Sequence, residues 1–358
     1  MLSVRPLGRA LLVGLAAAVL AAACGSTGGS SSPVGSGALT GAGATFPQPF
    51  YTKAFFTYSQ QYSQVTVNYQ PVGSGAGIQQ FIKGTVDFGA SDVPMGAADI
   101  TSAGGADKLT QIPATLGVIS IAYNLPGVPK LQLDGSTLAK IYLGHIKKWN
   151  DPALTALNPD VKLPFSDIQV VHRSDGSGTT YHFTDYLAKV SDEWKGKVGV
   201  NKSVSWPAGI GGSGNTGVAQ AVTSTTGAIG YVELAYVVSA NMTQAYLKNK
   251  NGKFVQASVA GATAAAAQNT NVSPTNFSIT DEPGDTTYPI AGFSWVIVHT
   301  SYSDANKGKA IAYLFKWLVT DGQSIGSSLE YAPLPTSVQS LALANVKLIT
   351  VGGQPVLT

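Results

Sequence analysis

The stretch Val170–Tyr181, VVHRSDGSGTTY, decides how this chain is read. The apolar run Ile168-Gln169-Val170-Val171 has the composition of a buried strand, and it leads through His172 to Arg173. Ser174, Asp175, Gly176, Ser177, Gly178, Thr179 and Thr180 then form a loop of glycines and hydroxyls. Phe183, Tyr186, Leu187 and Val190 follow at i, i+3, i+4 and i+7, which predicts a helix starting where the loop ends. A strand that hands such a loop to a helix N-terminus is built to hold an anion, because free backbone N–H groups and the helix dipole point at one place. Arg173 adds a permanent cation whose forked donors match a tetrahedral oxyanion.

Working outward, the arrangement recurs. Gly41-Ala42-Gly43-Ala44-Thr45-Phe46-Pro47 precedes an apolar stripe at Phe50, Ala54, Tyr58 and Tyr62, with Pro47 suited to a first helical turn. Val65–Tyr69 alternates like a strand and runs into Gly73-Ser74-Gly75-Ala76-Gly77, after which Ile78, Phe81 and Ile82 predict a short helix. Thr85–Ala90 is a further strand that ends in Ser91-Asp92. Any one glycine-hydroxyl loop is explained by turn chemistry. Three that open helices, together with one arginine, point to an anion. A carboxylate at Asp92 is out of place there unless the ligand carries a proton.

Strands alternating with helices predict an α/β protein. Ile112–Asn124 and Ile290–His299 are apolar and β-rich, and read as crossovers between two lobes. Ile311, Leu314, Phe315 and Leu318 predict an amphipathic helix, Ala262–Ala267 a surface helix, and Tyr331–Thr358 a tail without readable chemistry.

Residues 1–23 read as an export signal, with Arg5 and Arg9 ahead of the apolar run Ala10–Ala23. Cys24, the only cysteine, follows at once, and residues 24–37 read as an anchor cysteine with a flexible Gly-Ser tether. The cysteine resembles the lipidated residue of bacterial lipoproteins, although Leu20 stands one place earlier than that family's usual leucine. The alternative is an exported chain with a free thiol. A lone cysteine forms no intrachain disulfide, so the fold rests on its core, for which 44% hydrophobic residues suffice. Without Arg5 and Arg9 the charge is 20 Lys+Arg against 19 Asp+Glu, which gives no nucleic-acid surface.

Enzyme signals are weak. Gly212-Ser213-Gly214-Asn215-Thr216-Gly217 fits G-x-G-x-x-G with Glu233 downstream, but Val204–Pro207 before it is a poor strand, and a chance match is expected among 41 glycines. His145, His172, His182 and His299 show no metal-ligand spacing, so no metal and no cofactor is expected. His172 is the best candidate base for Ser177, yet alternation along a strand turns it away from Arg173.

These residues together resemble the substrate-binding protein of the bacterial high-affinity phosphate ABC transporter. The resemblance runs from about Leu39 to Leu334 and is strongest at GAGATFPQPFY, NYQPVGSGAG, TVDFGASDVPM, IYLGHIKKWND, HRSDGSGTTYHFTDYLAKV and TGAIGYVELAY. It implies a two-lobed periplasmic-binding-protein fold of type II, with a hinge of two crossovers and a ligand cleft between the lobes. Lobe 1 is expected from 38–122 plus 292–358, and lobe 2 from 123–291. The resemblance also implies a monomer that binds inorganic phosphate and hands it to membrane permease subunits, and that is not an enzyme. The implied phosphate ligands are Thr45, Phe46 through its N–H, Ser74, Asp92, Arg173, Ser177, Gly178 through its N–H, and Thr179. Asp175 matches the acid that orients the arginine, where an Asp-Gly turn residue is the other reading.

Asp92 supplies the discrimination in this reading. Phosphate at neutral pH still carries a proton to donate to a carboxylate, and sulfate carries none. The expected protein is exported and lipid-anchored at the outer face of the cell membrane. A secreted phosphoester hydrolase, with Ser177 or Ser74 as nucleophile in the same pocket, is the alternative.

Overall fold

A computed structural model describes residues 33–358, so the signal at 1–23 and Cys24 lie outside the described residues. Strand β1 (Gly37–Gly43) lies between β2 (Val65–Pro71) and β3 (Phe88–Ser91), parallel to both. Helix α1 (Gln48–Gln61) connects β1 to β2, and α2 (Ser74–Ile82) connects β2 to β3. Such right-and-return connections force each strand to end on the same edge of the sheet, where each helix begins.

The strands that follow are β4 (Leu109–Tyr123), β5 (Gln169–Arg173), β6 (Ile210–Gly212), β7 (Ala228–Glu233), β8 (Thr243–Gln244) and β9 (Ala291–His299). Among the described residues these nine form one sheet in the order β2-β1-β3-β9-β4-β7-β5-β6, with β8 paired to β4. β9 runs antiparallel to β3 and to Leu109–Val118 of β4, and β7 runs antiparallel to Ile119–Tyr123 of the same strand. β4 therefore serves two half-sheets in turn. It is buried along its whole length, as suits a central strand in which apolar residues predominate. Its register with β9 shifts between Ser294 and Trp295, opposite Pro113, which has no N–H to give the ladder. β7, β5 and β6 are mutually parallel neighbours in that order.

Helix α3 (Gly178–Val190) follows β5, α4 (Gly214–Ser224) follows β6, and α5 (Leu234–Ser239) follows β7. One hydrophobic core runs through both half-sheets. In the first, Phe88 meets Phe315 edge-on at 5.1 Å, and in the second Phe183 stacks on Tyr231 at 4.2 Å.

One expectation is corrected, and two segments gain a place in the fold. The alanine-rich segment forms α6 (Val259–Ala266), but Gly261, Ala262, Ala265 and Ala266 are buried against β4 and β9. Its side chains are small on every face, which erases the periodicity that marks a packed helix. Gly211-Gly212 belongs to β6, so the fourth glycine loop is also a strand-loop-helix unit. The tail is built into the fold, since Tyr331 is fully buried and packs on Phe46 and Phe50.

Candidate anion-binding site

The C-terminal ends of β1, β2, β3, β5 and β6 deliver Thr45, Ser74, Asp92, Arg173 and Asn215. Ligands of open α/β sheets gather at this edge. Arg173 is the last residue of β5 and is 3% exposed. Its Nε donates to Asp175 Oδ1 at 2.8 Å, its Nη2 to Asp175 Oδ2 at 2.5 Å, and its Nη1 to Thr179 Oγ1 at 3.3 Å. Gly214 N–H also donates to Asp175 Oδ1. Burial pushes the Asp175 carboxyl up, but the hydrogen bonds and charge of Arg173 outweigh it and hold the group below the usual carboxylate range. Two residues apart across a turn, the pair forms the fork-to-fork geometry that fixes a guanidinium plane.

Asp92 lies just past β3 and is 1% exposed. Ser294 Oγ donates to its Oδ1 at 2.8 Å, and Ser74 Oγ lies 3.4 Å from its Oδ2. Burial pushes its carboxyl up to about 7, against the opposing effects of the Ser294 hydrogen bond and then the Arg173 charge. The start of α3 is pressed against it. A Cβ on Gly178 would stand 2.4 Å from Asp92 Cβ, so only glycine lets the helix N-terminus come this close.

The hydroxyls share one property. Thr45 Oγ1 accepts from Asn215 N and Nδ2 at 3.1 and 3.0 Å, and Thr179 Oγ1 accepts from Asn215 Nδ2 and Arg173 Nη1. Ser74 Oγ accepts from the N–H groups of Asp92 and Gly178, and Ser177 Oγ from that of Thr180. A hydroxyl has one proton and two lone pairs. N–H donors fill both lone pairs of Thr45, Thr179 and Ser74 and one of Ser177, which turns these hydroxyls toward donating, and the Ser74 proton points at Asp92 Oδ2. The cluster thus offers O–H and N–H donors, one buried cation and two carboxylates, of which Asp175 is tied to Arg173 and Asp92 is not. Phe46 completes the set just before α1, with its carbonyl held by Tyr331 Oη at 2.6 Å.

A cavity of about 200 Å³ adjoins the cluster, lined by Thr45, Gln48, Asp175 and Gly214 among others. A larger one, about 620 Å³, lies among Tyr123–Pro129 and Ala240–Thr243 and touches none of these residues.

The histidines do other work. His145 pairs with Glu193, His172 stacks on Trp206 at 4.7 Å, and His299 stacks on Phe81 at 4.6 Å. His172 Nδ1 bonds the Arg173 carbonyl, not Ser177, whose Oγ caps α3. Among the described residues no group of His, Cys, Asp and Glu is arranged to hold a metal ion.

Sequence reasoning missed Asn215 and Ser294. Asn215 is fully buried, and besides its bonds to Thr45 and Thr179 it takes Glu233 N–H on its Oδ1 at 3.0 Å. Its signal was present: Gly-Ser-Gly-Asn-Thr-Gly has the same glycine-polar composition as the other loops, and was tested only as a dinucleotide motif. Ser294 carried no signal, being one small residue in a crossover strand.

Residues 28–321 match the model of the PBP superfamily domain. The phosphate-binding protein PstS of Pasteurella multocida is 45% identical over 304 residues, which cover 84% of this chain and 87% of that protein. The chain belongs to the PstS phosphate-binding protein family. The PstS of Methanocaldococcus jannaschii is 36% identical over 332 residues, covering 86% of this chain and 85% of that protein. Alignments this long take in both half-sheets, and so both sides of the residue cluster. Among solved structures, the high affinity periplasmic phosphate-binding protein PfluDING, bound with phosphate at pH 8.5, superposes with a TM-score of 0.69. It is 23% identical and covers 90% of this chain and 100% of that one, which establishes the shared two-lobed fold.

Proposed function

We propose that this PstS-family protein binds inorganic phosphate in the cleft between its half-sheets and delivers it to the permease of a phosphate ABC transporter. The observation that carries the reading is the set of four hydroxyls that each accept from N–H donors, grouped with Arg173 and the buried carboxylate of Asp92. The ligands are Thr45, Phe46 N–H, Ser74, Asp92, Arg173, Ser177, Gly178 N–H and Thr179, with Asp175 orienting the arginine. Lobe 1 comprises 38–122 and 292–358, and lobe 2 comprises 123–291. Donors from both lobes are satisfied by one anion only when the lobes meet, so binding favours the closed arrangement. Residues 1–23 direct export, and Cys24 carries the lipid that holds the protein at the membrane. The protein acts as a monomer, without cofactor and without catalysis. The uses already found for Ser177 and His172 leave that serine without a general base.

Calorimetric titration of phosphate and then sulfate into the ligand-stripped protein tests this. Tight one-to-one phosphate binding with weak or no sulfate binding is expected. Equal binding of both anions would keep the pocket but remove the role of Asp92, and turnover of a chromogenic phosphate ester would favour a hydrolase.

Asn215→Ala is expected to weaken phosphate binding about tenfold. It frees lone pairs on Thr45 and Thr179 and lets their protons turn away from the anion. A folded variant with the wild-type dissociation constant would show that the hydroxyls orient themselves.

A further inference from the structure

We propose that His182 is a positioning residue for this site, an imidazole that holds Asp92 in place from across the cleft; the proposal rests on the reading of that cleft as a phosphate site. His182 sits on α3, behind the second half-sheet's contribution to the cluster, and is 0% exposed. Its Nε2 lies 2.9 Å from the backbone carbonyl of Asp92, at the end of β3 in the first half-sheet. A carbonyl only accepts, so Nε2 carries the hydrogen and the tautomer is fixed. Nδ1 is buried without a hydrogen bond. The ring also meets the backbone of Phe293, next to Gly292 in β9.

The ring also has a prepared seat. A Cβ on Gly292 of β9 would stand 2.4 Å from His182 Nε2, so the imidazole fills the space that a glycine leaves in the crossover strand. The edges of Tyr181 and Phe277 close around it at 6.0 and 6.4 Å. Two residues further along β9, Ser294 holds the carboxylate of the same aspartate. Asp92 is thus gripped at both ends, its side chain by β9 and its backbone by α3. The backbone grip is a bond between the half-sheets and lasts only while they are together. His182 therefore sets how long Asp92 stays presented to an anion, and acts on phosphate release.

His182→Leu keeps the bulk and removes the donor, while His182→Gln puts an amide N–H in reach of the carbonyl. Inorganic phosphate binding is measured by titration calorimetry and by stopped-flow tryptophan fluorescence. The leucine variant is expected to release phosphate about tenfold faster with little change in association rate, and the glutamine variant to recover most of that loss. Gly292→Ala is expected to speed release in the wild type and to add little once His182 is alanine, because the clash goes with the ring. A merely structural role would lower the unfolding temperature without phosphate and leave the release rate of the folded protein alone. If the leucine variant does not fold, the glutamine and Gly292→Ala proteins carry the test. Wild-type release from a folded leucine variant, or from Gly292→Ala, overturns the proposal. A wild-type protein that binds no phosphate removes the site and the proposal together.

Discussion

Arg173→Ala is expected to weaken phosphate binding by roughly a hundred- to a thousandfold while the protein stays folded. Charge-assisted hydrogen bonds contribute roughly 1.5–3 kcal/mol each, and about 1.4 kcal/mol is a factor of ten. The guanidinium is nearly sealed from water, with its side chain 1% exposed, so its charge acts on an anion with little screening. A second effect adds to the first. Asp175 loses the partner that holds its carboxyl low and keeps only backbone N–H donors, from Gly214 and from itself, which leaves an uncompensated negative charge beside the anion. Arg173→Ala combined with Asp175→Asn should therefore bind better than Arg173→Ala alone. Arg173→Lys, with the charge but without the fork, should fall between wild type and alanine. The fold should survive, because Asp175 keeps 20% of its side chain in water and its stranded charge is hydrated; removing one partner of a fully buried pair costs roughly 3–5 kcal/mol. Calorimetry on a variant with a cooperative thermal transition is the measurement. A dissociation constant within a factor of two of wild type would remove Arg173 from the site.

The sheet was legible because its strands end in punctuation. Val65–Tyr69 before Gly73-Ser74, and Val170–Arg173 before Gly176-Ser177-Gly178, each announce a strand, a loop and a helix within a few residues. What could not be read is set by contacts distant in sequence. The division of β4 between two partners, at Val118 and Ile119, falls inside the apolar stretch Leu116–Ile119 and leaves no mark there. The burial of α6 depends on its neighbours, since alanines on all sides look alike to a periodicity argument. Tyr331 looked idle in the tail, but its hydroxyl reaches Phe46 and Glu233, 285 and 98 residues away.

The site divides along the same line. Groups proposed to meet the anion through a loop, such as Thr45, Ser74, Ser177 and Thr179, belong to recognisable local motifs. Groups that orient them act through long-range bonds, and of these Ser294 and His182 leave no motif, while Asn215 sits in a glycine loop of the same kind. Only the structure shows that hydroxyls able to donate or accept have been committed to donating, because the commitment comes from N–H groups elsewhere in the chain.

That commitment makes Asp92→Asn the most informative change for specificity. In the wild type Asp92 is a buried carboxylate set among donors, and at neutral pH a phosphate proton satisfies it. Sulfate brings only like charge. At an effective dielectric near 20, two unit charges about 4 Å apart repel by roughly 4 kcal/mol, close to a thousandfold in binding. Asparagine removes that repulsion and adds an N–H₂ group that sulfate can accept from. Competition calorimetry with the variant should show the phosphate-to-sulfate ratio falling from near a thousand to within about tenfold, mainly through tighter sulfate binding. The wild type should show the same loss as the pH falls. Burial has pushed the Asp92 carboxyl up to about 7, so below that pH it gains a proton, becomes a donor and no longer repels sulfate. Above it the carboxylate is an acceptor and discrimination is complete. Selectivity should thus rise with pH through 7 more steeply in the wild type than in Asp92→Asn, where the ligand phosphate titrates and the amide does not. A wild-type ratio that does not change between pH 5 and 8, about two units to one side and one to the other, would place the discrimination in the donor geometry and not in this carboxylate.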